Sequence, residues 1–320
     1  MQKKAKKKEK SRAKEQGKSS TSQLLNFARN SYLERTSRPI YAIWFLLPFI
    51  AFYELGTILI STNVLNQSQD QSPVRVVAFV WLQNVLESIG FGGKLAWVAP
   101  PLVVVAILAG LQLTSRKQWS FGARDVFPML VECVGLAVPL IVLSLFLNSP
   151  RAPQGDTGRY CCDTSGVQAG SLTICSSVGN RGPSSPGAEP ESFEPGNPTL
   201  LTNIVTGIGA GIYEELVFRL VLICVLMVLF QDVLRLTHKS SVILSVLISA
   251  ALFSGHHHIV FLDGQFGRIS DFDLTKFGFR TMAGVYFAIL FAIRGFGITA
   301  GTHAFYDMIA TIINVVFFGQ

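Results

Sequence analysis

An apolar run at about residues 199–234 is interrupted near its middle by Glu214, Glu215 and Arg219. A run of that length reads as a membrane-spanning helix, because about 20 apolar residues cross a hydrocarbon core about 30 Å thick. Each ionised side chain at such a depth costs about 2.5–3.5 kcal/mol on insertion scales, so the three together would cost about 8–10 kcal/mol if unpaired. Folding alone does not put them there. Glu215 and Arg219 stand at i and i+4, the spacing at which two side chains share a helix face and pair. Glu214 is turned about 100° from its neighbour and is left to face something else. An ionisable residue inside a membrane is a functional site by default.

Further runs approach or exceed 18 residues in this chain of 320, which is 49% apolar and only 15% charged. The fold class that follows is all-α, a polytopic transmembrane helix bundle. Spans are expected at 40–60, 95–113, 127–147, 199–234, 241–261, 277–293 and 298–318, which makes seven. The stretch 76–90, broken by Gln83, Asn84, Glu87 and Ser88, makes eight if it crosses. Seven places the basic connections after residues 113 and 234 in the cytoplasm and the acidic 263–276 loop outside, as the positive-inside rule prefers; eight inverts them.

The net charge of +7 belongs to one end. Residues 1–39 hold 12 of the 27 Lys and Arg and 3 of the 20 Asp and Glu, leaving 15 basic against 17 acidic residues for the rest. The body therefore gives no argument for nucleic acid. Residues 1–39 read as a disordered basic cytoplasmic tail attracted to anionic headgroups, with no signal-peptide pattern. Residues 40–147 read as N-terminal transmembrane helices, 148–198 as a flexible Gly/Pro/Ser-rich loop, and 199–320 as the catalytic transmembrane core. Pro100 and Pro101 predict a kink near the start of their span. The five cysteines lack zinc-finger spacing; Cys161, Cys162 and Cys175 share the loop, where Cys175 bridges one of the other two if the loop is extracytoplasmic.

Two later helices add polar groups: the triplet His256, His257 and His258, and the pair His303 and Asp307, again at i and i+4. Imidazoles and carboxylates from separate helices meet only in a bundle interior, and two chemistries use such a set. In one, His257, His303 and Asp307 hold a divalent metal such as zinc, whose bound water becomes a nucleophile near neutral pH. In the other, Glu214 and a histidine activate water without metal while other groups stabilise the oxyanion. Glu214 is the candidate general base in both. His303 lies early in its span and His257 late in its own, so a broken helix at 295–301 or a shortened one near Ser254 and Gly255 is needed to bring them level. Gly207, Gly209 and Gly211 suit close helix approach, and Glu132 reads as an interfacial carboxylate.

These residues resemble a family. Glu214-Glu215-Leu-Val-Phe-Arg219 is similar to the EExxxR motif of the CPBP intramembrane proteases, which comprise type II CAAX prenyl proteases and bacteriocin-processing, Abi-like proteins. Phe253-Ser-Gly-His-His257 resembles their FxxxH motif, and His303-Ala-Phe-Tyr-Asp307 their third, a His followed four residues later by Asn or Asp. The resemblance spans about residues 203–318 and favours eight spans. It implies an integral-membrane endopeptidase that cuts a membrane-associated or lipidated protein or peptide in the bacterial cell membrane. In that reading Glu214 and His257 activate water, and His303 and Asp307 bind metal or stabilise the oxyanion. Glu215, Arg219 and Phe253 support them. The prenyl-protease branch has Asn where this chain has Asp307. An amide donates a hydrogen bond to an oxyanion and an ionised carboxylate cannot, which tilts Asp307 towards metal ligation or orienting His303 and the substrate away from prenyl proteins. The rival classes are a transporter or proton relay, which also uses buried Glu, His and Asp, and a non-catalytic immunity or scaffold protein.

Overall fold

The computed structural model describes residues 27–28, 30–65, 76–91, 98–115, 117–148, 200–262, 265–268 and 273–318. The part of the basic tail before residue 27 and the 149–199 segment with its three cysteines lie outside the described residues. Order begins before Pro39: residues 32–36, inside the stretch read as a tail, form the short helix α1 (Tyr32–Thr36), capped by the Ser31 hydroxyl accepting from the Glu34 amide at 3.3 Å.

Helix α2 (Pro39–Leu65) opens on a proline, which needs no hydrogen bond in a first turn. Helix α3 (Val77–Ser88) has 12 residues, about 18 Å at the α-helical rise and so short of the hydrocarbon core. Helix α4 (Ala99–Ser115) starts at the residue before Pro100, so the two prolines occupy a first turn rather than kinking a span. Helix α5 (Val126–Asn148) follows a single 3₁₀ turn, Ala123–Asp125. Helix α6 covers Leu200–Val233. It is α-helical to Glu215, widens to π-helical turns at Leu216–Leu222, and widens again at Val228–Val233. π-helical turns recur where a helix must re-aim side chains at a functional site. Helix α7 (His238–Gly255) is capped by Thr237. Contrary to the span expected at 241–261, it ends before the histidines, and the chain turns into a two-stranded antiparallel hairpin with Ile259 opposite Arg268. Helix α8 (Leu274–Arg294) is capped by Asp273, whose carboxylate accepts from the Thr275 and Lys276 amides; those donors, Thr275 first, hold its carboxyl below the usual range. Helix α9 (Phe296–Ile313) follows after one residue, Gly295, whose φ of 78° and closeness to the Ser37 carbonyl suit glycine alone.

Five helices, α2, α5, α6, α7 and α8, are long and apolar enough to cross a membrane, fewer than the seven or eight expected from the sequence. The difference lies in α3, in the shorter apolar α4, and in α9, which is rich in Gly and Thr and packs inside the bundle against α6, α5, α2 and α8.

A polar knot closes the bundle at the α8–α9 turn. All five N–H groups of Arg294 are used: two on the Glu132 carboxylate at 2.6 and 2.7 Å, and the others on the Leu33 carbonyl and the Ser37 and Thr36 hydroxyls. The Tyr32 hydroxyl donates to the same carboxylate at 2.7 Å. Glu132, expected at an interface, is thus the partner of a guanidinium 162 residues away. Its side chain keeps 19% exposure, so Glu132→Gln is expected to cost about 2–3 kcal/mol, between a surface pair and a fully buried one. Reversible unfolding of the purified protein in detergent measures it.

Candidate active site

Helix α6 delivers Glu214, Glu215 and Arg219 into the protein interior, all three buried. Glycines make this possible. A Cβ on Gly207 would lie 2.8 Å from the Asp307 Cβ, and one on Gly211 would lie 2.5 Å from the Ala304 amide nitrogen, so α6 and α9 touch backbone to backbone. Gly209 faces Tyr53 of α2 instead.

Glu215 sits between two partners. Its Oε2 lies 3.1 Å from Arg219 Nε, although neither atom makes a directed hydrogen bond, so the contact is a charge pair. Its Oε1 lies 2.8 Å from His303 Nδ1. The other ring nitrogen of His303 faces Asp307 Oδ2 at 3.5 Å, which places the imidazole between two carboxylates. Arg219 completes the unit by lying over the Phe253 ring, 4.1 Å from its centroid, with Nη2 3.4 Å from the Gly284 carbonyl. Phe253 is the shared wall: the rings of both His257 and His303 meet it edge-on, with centroids 5.3 and 5.9 Å away. Phe287 of α8 stacks on His303 from the other side at 4.6 Å.

Glu214 faces the end of α7. Its Oε1 lies 3.4 Å from His256 Nε2, while the His256 Nδ1 turns to the Phe253 carbonyl. The His256 and His257 rings are 4.0 Å apart, because the helix has ended at Gly255 and the turn presents both to the same side. One ligand atom each from Glu214, His256 and His257 lies within 4.8 Å of the others. In these side chains Glu214 Oε2 and His257 Nδ1 are buried and without a hydrogen-bond partner among the described residues. Buried polar atoms are rarely left unpaired, so these two are available to a further partner.

Residues 196–309 match the family model described as type II CAAX prenyl endopeptidase Rce1-like. This stretch is similar to an Rce1-like domain. The match includes Glu214, Glu215 and Arg219, Phe253 and His257, and His303 and Asp307, in agreement with the CPBP resemblance. No curated protein and no solved structure matched the chain.

Within this stretch the expected residues divide into two neighbouring groups rather than one ring. Glu214 contacts His256, whose ring lies against His257, while Glu215 contacts Arg219 and His303, and His303 faces Asp307. The metal set His257, His303 and Asp307 is not the one that closes: among the described residues the group with metal-ligand spacing is Glu214, His256 and His257, and His303 is occupied by Glu215 and Asp307. His256, which belongs to the triplet but is fixed by none of the three motifs, is buried against Glu214. Its signal was present but ambiguous, since three adjacent histidines on a continuing helix would point in three directions.

The two-histidine, one-carboxylate set fits a divalent ion such as zinc in donor type and spacing, with Glu214 Oε2 and His257 Nδ1 still uncommitted. Without an ion, the same two atoms are a carboxylate acceptor and an imidazole nitrogen that belong to one buried cluster.

Proposed function

We propose that the protein is an intramembrane endopeptidase of CAAX type that hydrolyses a peptide bond in a lipidated or membrane-embedded substrate. The observation that carries this is the buried group of Glu214, His256 and His257, one ligand atom of each within 4.8 Å of the others, in which Glu214 Oε2 and His257 Nδ1 have no hydrogen-bond partner among the described residues. A water held there donates one proton to Glu214 as its oxygen attacks the peptide carbonyl carbon. Glu214 then passes that proton to the departing nitrogen as the C–N bond breaks, giving an amine and a carboxylic acid whose remaining proton is lost to the amine or to solvent. His256 fixes the Glu214 carboxylate through Oε1. His303, anchored by Glu215 and thereby by Arg219, turns Nε2 from its long contact with Asp307 to the developing oxyanion. Asp307 orients that ring. A divalent metal, when bound by Glu214, His256 and His257, would supply Lewis-acid polarisation of the water or carbonyl.

Seven crossings suit this reading better than eight. Arg294, at the end of α8, is bonded to Leu33, Thr36 and Ser37 beside the N-terminus, so these segments lie at one end of the bundle. Seven crossings put the α8–α9 turn and residues 33–37 on the same side of the membrane, and eight put them on opposite sides. The cytoplasmic N-terminus expected from the charges then takes that turn with it.

The Rce1-like match brings prenylated C-terminal peptides forward as the first probes. Purified protein in nanodiscs is expected to shorten a farnesylated CAAX peptide and, in ¹⁸O-labelled water, to leave the label in the new carboxylate, as read by mass spectrometry. If neither this peptide nor embedded native peptides are shortened, the proteolytic reading fails. Elemental analysis of the same sample separates the two ways of activating water: a held ion co-purifies near one per chain and is lost in His256→Ala.

A further inference from the structure

Helix α7 carries a buried serine at every fourth position, Ser241, Ser245 and Ser249, and the three hydroxyls are used differently. Inside a helix a serine hydroxyl commonly bonds back to the carbonyl four residues earlier, as Ser241 does to Thr237 at 3.1 Å. The Ser245 hydroxyl has no partner among the described residues. Ser249 reaches across to α6 instead, donating at 2.6 Å to the Phe218 carbonyl, 31 residues away. Phe218 lies within the first π-helical stretch of α6, Leu216–Leu222, directly after the two glutamates. π-helical turns are rare and recur at functional sites. A backbone carbonyl has two lone pairs, so an outside donor on this one ties the turn to α7 without taking a bond from the helix.

The same phenylalanine meets α7 a second time through its ring. The His256 imidazole lies 4.7 Å from it, centroid to centroid, and is walled further by Phe253 at 5.5 Å and by Trp81 of α3 at 6.0 Å. Walls matter here because His256 follows Gly255, the last residue of α7, so no continuing helix aims its side chain. Its contact with Glu214 is 3.4 Å long, beyond the usual hydrogen-bond range and so weakly directing. Phe218, the nearest of the three walls, therefore sets how the imidazole stands against that carboxylate. Ser249 and His256 are seven residues apart, two turns along one face, and between them they hold Phe218 by its carbonyl and by its ring. We propose that Ser249 is a positioning residue for the reaction: through Phe218 it places His256 beside Glu214. The inference rests on the proteolytic reading of the site and adds to it a residue outside all three motifs.

Placement and turnover test it separately. Full-length protein with ¹³C-labelled histidine rings in nanodiscs gives one imidazole signal for each of its five histidines, and His256→Ala identifies the one that matters. Phe218→Leu is expected to move that signal, because it removes the aromatic ring against which the imidazole lies. Ser249→Ala is expected to move it too, and to leave in place the signal of His238 at the other end of α7. Ser245→Ala deletes the same hydroxyl one turn away without cutting a bond between helices, and should move neither. With the farnesylated CAAX peptide, Ser249→Ala is expected to lower kcat about tenfold or more while KM stays within about twofold, the pattern of lost positioning rather than lost binding. Ser249→Cys, with a weaker donor in the same place, should fall between, and Ser245→Ala should cut like the wild type. An unmoved His256 signal in Ser249→Ala or in Phe218→Leu overturns the inference, whatever the rates. So does movement of all five signals together in Ser249→Ala, which would mean that Ser249 holds the whole bundle and not one ring. A moved signal with unchanged turnover overturns the role in the reaction. No cleavage of any peptide by the wild-type protein removes the proteolytic reading instead, and the His256 signal still decides whether Ser249 places the ring.

Discussion

Glu214→Gln is expected to lower peptide hydrolysis about a thousandfold, the scale of a lost general base, with no loss of thermal stability. Glutamine keeps the shape and still offers an oxygen to His256, but it takes no proton from water. It also leaves Arg219 with its own partner, the neighbouring carboxylate. Glu215→Gln is expected to do the opposite. It strips the partner from an arginine with no solvent exposure and removes the anchor of His303 Nδ1. Breaking a buried pair by removing one member costs about 3–5 kcal/mol, so this variant should unfold in detergent well before the wild type. Parallel thermal melts and cleavage rates of the two variants make the measurement. Equal destabilisation by both would mean that Glu214 is also a structural carboxylate and that the division of labour between the two glutamates is wrong.

That division was partly legible before any coordinates. Charged residues in an apolar run have to be explained, so Glu214, Glu215, Arg219, His303 and Asp307 announced themselves, and i, i+4 spacing paired Glu215 with Arg219 correctly. The expected shortening near Ser254 and Gly255 also occurs, with α7 ending at Gly255. What spacing could not give was which atoms meet across helices. His303 was open to metal ligation because nothing in the sequence says that Glu215, 88 positions earlier, takes its Nδ1. His256 was hidden by its neighbours, since the direction of each ring depends on where the helix stops. The knot of Arg294 and Glu132 joins residues too far apart in sequence for any local pattern to link them.

A large effect on rate is expected from one methyl group. In Gly211→Ala the new Cβ would stand 2.5 Å from the Ala304 nitrogen and 2.8 Å from its Cα. Those atoms are backbone and cannot swing aside, so α6 and α9 must move apart by about 1 Å to regain ordinary contact distance. Ala304 is the residue after His303, and the displacement is delivered to the pair that the site depends on, Glu215 and His303. A misplacement of about 1 Å costs about a hundredfold in rate where geometry must be held, and overpacking costs about 1–3 kcal/mol in stability. The same change at Gly135 of α5 meets nothing within 4 Å, and replacing a helical glycine there should gain up to about 1 kcal/mol. Cleavage rate and unfolding midpoint, measured on both, separate the general helix preference for alanine from the specific need for bare backbone between α6 and α9. A Gly211→Ala protein that folds and cuts like the wild type would mean that the two helices have slack, and that Glu215 does not fix the position of His303.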